Sequence, residues 1–248
     1  MWLILCNLGD PSALWAYQGL KARGLSPLEL ISAEELMYSP RWRYHLSSRG
    51  ASFELDLPSH RRLHSEDVQG VLNRLGMLPT EHLLAASPVD RDYAAQELGA
   101  FIASWLQSLP GRVINRPSAL ALAGRYRHPS EWTWLASRAG LPVVSFHQSS
   151  EDNGALRGQP GPALLGYQGL LVLEGELFGP PVPATIREGS IQLATLARTS
   201  LLGLSFANNG VEPWVFTGAT PLPDLRPGGP ALLDHLARQL RAGTEVQS

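Results

Sequence analysis

Residues 90–117 read "DRDYAAQELGAFIASWLQSLPGRVINRP", a long helical stretch that turns directly into a short strand. Asp90 can cap a helix in which Tyr93, Ala94, Leu98, Phe101, Trp105 and Leu109 form a broad apolar stripe, and Pro110-Gly111 ends it. "RVI" then returns as a strand, closed by Asn115-Arg116-Pro117. A helix feeding straight into a buried strand is the repeating step of an α/β fold.

The same step opens the chain. "WLILCNL" (2–8) reads as a buried strand, Gly9-Asp10-Pro11 as a turn, and "SALWAYQGLKARG" (12–24) as a helix with Leu14, Tyr17 and Leu20 at helical spacing and Gly24 as its stop. "LELIS" (28–32) follows as a second strand. "SFELDL" (52–57) alternates in strand fashion, "GVLNRL" (70–75) is a further short strand, and "GMLPTEHLLAASP" (76–88) is a loop with a helical turn. Beyond residue 117, Pro129 suits the first turn of a helix, "PSEWTWLASRA", stopped by Gly140, and "LPVVSFH" (141–147) is extended.

From 148 to 169 the sequence is rich in Gly, Pro, Ser and Asn without sustained periodicity, the mark of a linker or surface loop. A hairpin, "LLVLEGELFG", comes next, then a helix over "SIQLATLARTS". Two strands in "LLGLSFANNGVEPWVFTGAT" follow, joined by a turn at Asn209-Gly210. The last helix, "GPALLDHLARQLRAG", places Leu232, Leu233, Leu236 and Leu240 on one face. The expected architecture is an α/β domain over 1–147 with a parallel-type sheet, a linker over 148–169, and an α+β domain over 170–248 with an antiparallel sheet.

Composition narrows the function classes. With 248 residues and 44% hydrophobic content the chain can bury a substantial core. A net charge of −2 gives no global electrostatic case for nucleic acid or an anionic membrane surface. The apolar opening is too short to span a bilayer and lacks a secretory signal pattern. A single cysteine, Cys6, excludes an internal disulfide and a thiolate metal cluster, and points to a reducing, cytoplasmic setting. Lys21 is the only lysine and every other basic residue among the 20 is arginine, a bias that fits GC-rich coding but constrains lysine-dependent chemistry.

Local motifs are sparse. His60 and His64 stand four apart, a spacing that would serve a metal on a helix, but Pro58 precedes them and Arg61 and Arg62 lie between, so a solvated turn is expected. No Gly-x-Ser-x-Gly elbow occurs. Cys6, inside an apolar strand, reads as an inert core residue.

Taken in order, these parts resemble the ATP-grasp superfamily, in particular the ligases that modify ribosomal peptides and the relatives that add glutamate to protein ends. The resemblance rests on a strand at "GVLNRL" bearing Arg74, the helix of residues 90–109, and a strand ending in Asn-x-Pro at Asn115-Arg116-Pro117. A helix leading to "GLPV" and the closing strand pair, helix and hairpin complete it. It implies a pre-ATP-grasp-like domain followed by a reduced ATP-grasp-like domain. It also implies phosphoryl transfer from ATP to a carboxylate, which requires cations against the triphosphate and oxygen ligands for Mg²⁺.

The sequence departs from that pattern at the chemistry. Where the family places a lysine ahead of the helix at 129, this chain has Arg125, Arg127 and His128; where it places a nucleotide clamp, this chain has the 148–169 linker. Ser205 stands at the position of the metal-binding Asp, and Thr217, Gly218, Ala219 and Thr220 where the acidic pair would be. The reading is a shortened, degenerate relative with no catalytic residue, metal ligand or cofactor assigned. It is a binding or adaptor protein for a biosynthetic enzyme or precursor peptide, with homo-oligomerisation open; the alternative is a carboxylate–amine ligase with a non-standard or partner-completed site. Candidate binding residues are Arg74, Asn115 and Arg116, at the ends of two strands that should meet at one sheet edge. Asp224 and Arg226 join them, in a loop stiffened by Pro221, Pro223 and Pro227 where the family's substrate-facing hairpin ends.

Overall fold

A computed structural model describes residues 1–48, 50–144, 165–208 and 214–242. They form two compact units, Met1–Tyr126 with Gly229 onward, and Arg127–Gly228. This division differs from the expected boundaries at both ends. The helix after Pro129 belongs to the second unit, and the last helix belongs to the first.

In the first unit, β1 (Trp2–Cys6), β2 (Leu28–Ser32), β6 (Gly70–Arg74) and β7 (Arg112–Ile114) form a parallel sheet in the order β2-β1-β6-β7. The register sets Cys6 beside Ser32 and Arg74, so the carboxyl ends of these strands share one edge. Helix α1 (Pro11–Ala22) joins β1 to β2. Its buried face is Ser12, Ala13, Ala16 and Leu20, while Leu14 is 49% exposed, which corrects the expected Leu14–Tyr17–Leu20 stripe. The small face lets another helix approach: α6 (Gly229–Ala242) packs on α1, with Leu233 against Gly19. Arg23 reinforces the contact, donating from Nε to Asp234 Oδ1 at 2.6 Å.

Helix α3 (Pro88–Ser108) forms over the opening stretch with a shifted start, and Tyr93, expected on its apolar stripe, is exposed. Ser87, not Asp90, is its cap: the Ser87 side chain accepts from Asp90 N, and Pro88 occupies the first turn. Its buried residues, Ile102, Trp105 and Leu106, join Leu3, Leu5, Val71 and Val113 of the parallel sheet in one core. The other side of this core is a sheet that the sequence reading located only in part. Strands β3 (Arg41–Ser47), β4 (Gly50–Asp56) and β5 (Arg62–His64) pair antiparallel, and α2 (Ala33–Met37) leads into them behind a Ser32–Glu35 capping box. Trp42 and Phe53 meet the Trp105 ring edge-on, with centroids 5.1 and 5.6 Å away. His64 therefore lies in a strand rather than the expected turn, whereas His60, at φ 60°, does sit in one.

The second unit is built on an antiparallel sheet in the order β11-β10-β8-β9, as expected for residues 170 to 220. Its strands are β8 (Leu165–Leu173), β9 (Glu176–Phe178), β10 (Leu201–Asn208) and β11 (Val215–Thr220). β8 begins inside the stretch assigned to the linker; residues 145–164, which hold most of that linker, and the Asn209-Gly210 turn lie outside the described residues. Glu174 and Gly175, both at positive φ, make the tight β8–β9 turn. Helices α4 (Pro129–Arg138) and α5 (Ala184–Ala197) pack through Trp132, Leu135, Ile186 and Leu193 onto Leu170, Val172, Leu202 and Leu204.

Candidate functional site

At the carboxyl edge of the parallel sheet the chain leaves β1 toward β2 on one side, while β6 lies on the other, the place where open α/β sheets bind ligands. Here that place is bridged by side chains. Asp10 Oδ1 accepts from Ser12 N at 2.9 Å and Ala13 N at 3.1 Å, capping α1. Arg74 Nε donates to Asp10 Oδ2 at 2.8 Å. Asn7 Oδ1 accepts from Gly76 N at 2.7 Å, and Asn7 Nδ2 donates to Met77 O at 2.8 Å. One strand over, Asn73 Nδ2 donates to Asn115 O at 2.9 Å and Leu122 O at 2.7 Å.

The three candidates at this edge differ in character. Arg74 and Asn115 are buried and built into the frame. Asn115 has φ 59°, a left-handed conformation that asparagine tolerates better than most residues, which accounts for its place before Arg116-Pro117. Arg116 is exposed as a residue and donates to Gln107 O at 2.9 Å and Gly111 O at 3.2 Å, closing the last turn of α3. Partial desolvation lowers the pKa of its guanidinium. Cys6, on the same edge, is buried as expected, and desolvation pushes its thiol up to about 12.

In the second unit, Asp224 and Arg226 pair with each other: Arg226 Nε donates to Asp224 Oδ1 at 2.9 Å and Nη2 to Oδ2 at 2.7 Å. These hydrogen bonds raise the Arg226 pKa. The loop is anchored by Leu225, which is fully buried. Arg127 lies in the core, with Nη1 on the Glu131 carboxylate, Nη2 donating to Ala197 O at 3.0 Å, and its guanidinium 5.4 Å from the Trp132 ring centre. On the sheet, Gly169, Ser205 and Gly218 stand side by side across β8, β10 and β11. Thr217 Oγ1 donates to Ser205 O at 3.0 Å.

No family model matches the sequence, and no curated protein does. Solved structures do match, end to end. The macrocyclase MdnC from Microcystis aeruginosa MRC, solved with precursor peptide MdnA, has a TM-score of 0.72 at 13% identity over 96% of this chain and 98% of that one. The ATP-grasp ligase PsnB, complexed with a phosphomimetic variant of its minimal precursor, Mg and ADP, has a TM-score of 0.74 at 13% identity over 98% of each chain.

The chain has the ATP-grasp fold.

D-alanine-D-alanine ligase from Aeromonas hydrophila also matches, at a TM-score of 0.50 and 16% identity over 100% of this chain and 99% of that one. The resemblance places Mg²⁺ ligands at Ser205 and within Thr217–Thr220, none of which is a carboxylate. A hard dication takes carboxylate and carbonyl oxygens; here Ser205 pairs with a glycine on each neighbouring strand, and the Thr217 hydroxyl donates to the Ser205 carbonyl. Among the described residues no three His, Cys, Asp or Glu side chains gather to hold a metal. Sequence reasoning named Arg74 without its partner, because Asp10 is 64 residues away and only the sheet register brings them together.

Proposed function

We propose that this protein is a binding or adaptor protein on the ATP-grasp fold, serving a peptide-modifying or other biosynthetic enzyme, and that it does not itself transfer phosphoryl groups. The observation that carries this reading is Ser205, paired with Gly218 of the Thr217–Thr220 stretch, where the resemblance calls for carboxylates. Arg127 adds support. With Arg125 and His128 it stands in the stretch where the resemblance expects a nucleotide-binding lysine, and its guanidinium is engaged by Glu131, Ala197 O and Trp132 in the core. The peptide side of the reading rests on MdnC and PsnB, both solved with precursor peptides.

Calorimetry with Mg·ATP should give no saturable heat at micromolar protein, and a phosphate-release assay should match buffer. Metal-dependent turnover that is abolished by Asp224→Ala or Glu174→Ala would replace this reading with the carboxylate–amine ligase.

A further inference from the structure

Strand β3 has a free edge. The three-stranded sheet runs β3-β4-β5, so β3 pairs with β4 on one side and with no strand on the other. Which backbone groups face outward follows from the register. Ser47 pairs with Gly50 across a two-residue turn, a closure that makes them a hydrogen-bonded pair. Antiparallel pairs alternate, so Arg41, Arg43 and His45 also turn their N–H and C=O groups to β4, while Trp42, Tyr44 and Leu46 turn theirs outward. Among the described residues these outward groups meet no backbone partner.

Such an edge is a template for another chain unless it is short, bulged or broken by proline. β5, at the far side of the sheet, is only three residues long. β3 has seven residues, no glycine or proline, and no bulge in its register. What it carries instead is charge. Arg41, Arg43 and His45 are exposed in a row on the solvent face; Trp42 and Tyr44 pack on the core from the other face, and Leu46 beside them is 60% exposed. Arg43 reaches Glu54 Oε2 at 3.2 Å. Arg41 stands opposite Asp56, but Asp56 is taken by Arg62 from β5 at 2.7 Å, which leaves Arg41 without a carboxylate among the described residues.

We infer that the free edge of β3 takes up an extended peptide as a fourth strand, and that this peptide alternates acidic with apolar residues. The outward groups of Trp42, Tyr44 and Leu46 supply the backbone hydrogen bonds. The pleat then sets the peptide residues opposite Arg41 and Arg43 on the solvent face and those opposite Tyr44 and Leu46 on the other. Carboxylates on the first set give Arg41 the partner that Arg62 has taken, and apolar side chains on the second cover Leu46. A second copy of β3 fits worse. Paired antiparallel about Tyr44, two copies would set Arg43 against His45 and Arg41 against Ser47, with no carboxylate on either strand. The row that disfavours self-pairing thus selects an acidic strand. This inference rests on the peptide-related reading above and gives it a place and a sequence pattern.

The test titrates the full chain, by fluorescence anisotropy, with a labelled heptapeptide of alternating valine and glutamate ending in threonine on both sides. Binding should saturate below about 1 mM and be about tenfold tighter than that of the same peptide with glutamine for glutamate. Arg41→Glu should weaken the glutamate peptide about tenfold and favour a lysine version instead. Leu46→Pro removes an outward N–H without touching a β3–β4 bond, so circular dichroism and the melting curve should stay native while binding is lost. N-methylating one alternate set of peptide amides should abolish binding, and methylating the other set should not. No saturation, equal affinity for the glutamate and glutamine peptides, or equal response to the two methylated sets overturns the inference. So does a dimer in sedimentation that Leu46→Pro converts to monomer, which would give the edge to a second copy. Peptide binding that ignores Leu46→Pro would keep the peptide-related reading and remove this edge from it. Phosphate release from ATP would defeat the non-catalytic reading and leave strand binding at β3 standing.

Discussion

Arg74 and Asp10 form a buried ion pair in which one carboxylate serves two elements. Asp10 caps the first turn of α1 and accepts from Arg74 at the end of β6, with side chains only 15% and 5% exposed. The pair locks the first helix to the strand beside it at the edge where α/β sheets bind ligands.

Removing Arg74 should therefore be read first as a loss of fold. Arg74→Ala leaves the Asp10 charge without its buried partner, and about 3–5 kcal/mol of stability should be lost. Urea unfolding measures it. A near-neutral result would free Arg74 for a binding role.

Two glycines should respond oppositely to the same change. Gly111 has φ 69° and a Cβ there would strike the Gln69 carbonyl, so Gly111→Ala should destabilise by at least about 2 kcal/mol. Gly99→Ala enters open space in a helix and should stabilise by about 0.5–1 kcal/mol. Thermal melts of the two variants separate these outcomes.

The contrast marks what the sequence could disclose. Strand runs such as "WLILC" and "GVLNR" are legible because both faces of a covered parallel sheet are apolar. β3 is harder to see: Trp42, Tyr44 and Leu46 alternate with Arg41, Arg43 and His45, and basic residues on an edge strand resemble a solvated loop. The four leucines of α6 announce a buried face but not its partner, which is the small face of α1 more than 200 residues earlier. Ser87 and Asp90 could each cap α3, and Pro88 in the first turn decides for Ser87. The candidate cations were visible; their uses were not, because Asp10 and the α3 carbonyls come to them only through the fold.

Cys6 should behave as an inert thiol with a pH signature. Burial, aided by Asp10 and opposed by Arg74, pushes its pKa up to about 12, whereas an unfolded thiol ionises near about 8.5. The folded chain keeps a proton that the unfolded chain loses, so this contribution to stability is full below the unfolded value and is lost as pH rises toward the folded one. Native protein should not react with a thiol-exchange disulfide reagent in mildly alkaline buffer, and denatured protein should react completely. Rapid reaction of the native thiol would contradict the buried placement.

Arg127 separates a structural cation from a nucleotide-binding one. Its guanidinium meets three different partners in the second unit: the Glu131 carboxylate one helical turn away, the Ala197 carbonyl at the end of α5, and the Trp132 ring face. Lysine has the charge but not the planar fork, so it cannot donate to carboxylate and carbonyl at once while stacking on the indole. Arg127→Lys should destabilise by about 1–3 kcal/mol, and Arg127→Ala, which leaves Glu131 unpaired and the Ala197 carbonyl without this donor, by about 3–5 kcal/mol. If Arg127 instead held a triphosphate, lysine would be tolerated and alanine would abolish Mg·ATP heat with little loss of stability. Paired chemical denaturation and calorimetry on the two variants distinguish these patterns: stability should fall in the order wild type, Arg127→Lys, Arg127→Ala, with no nucleotide heat in any of the three.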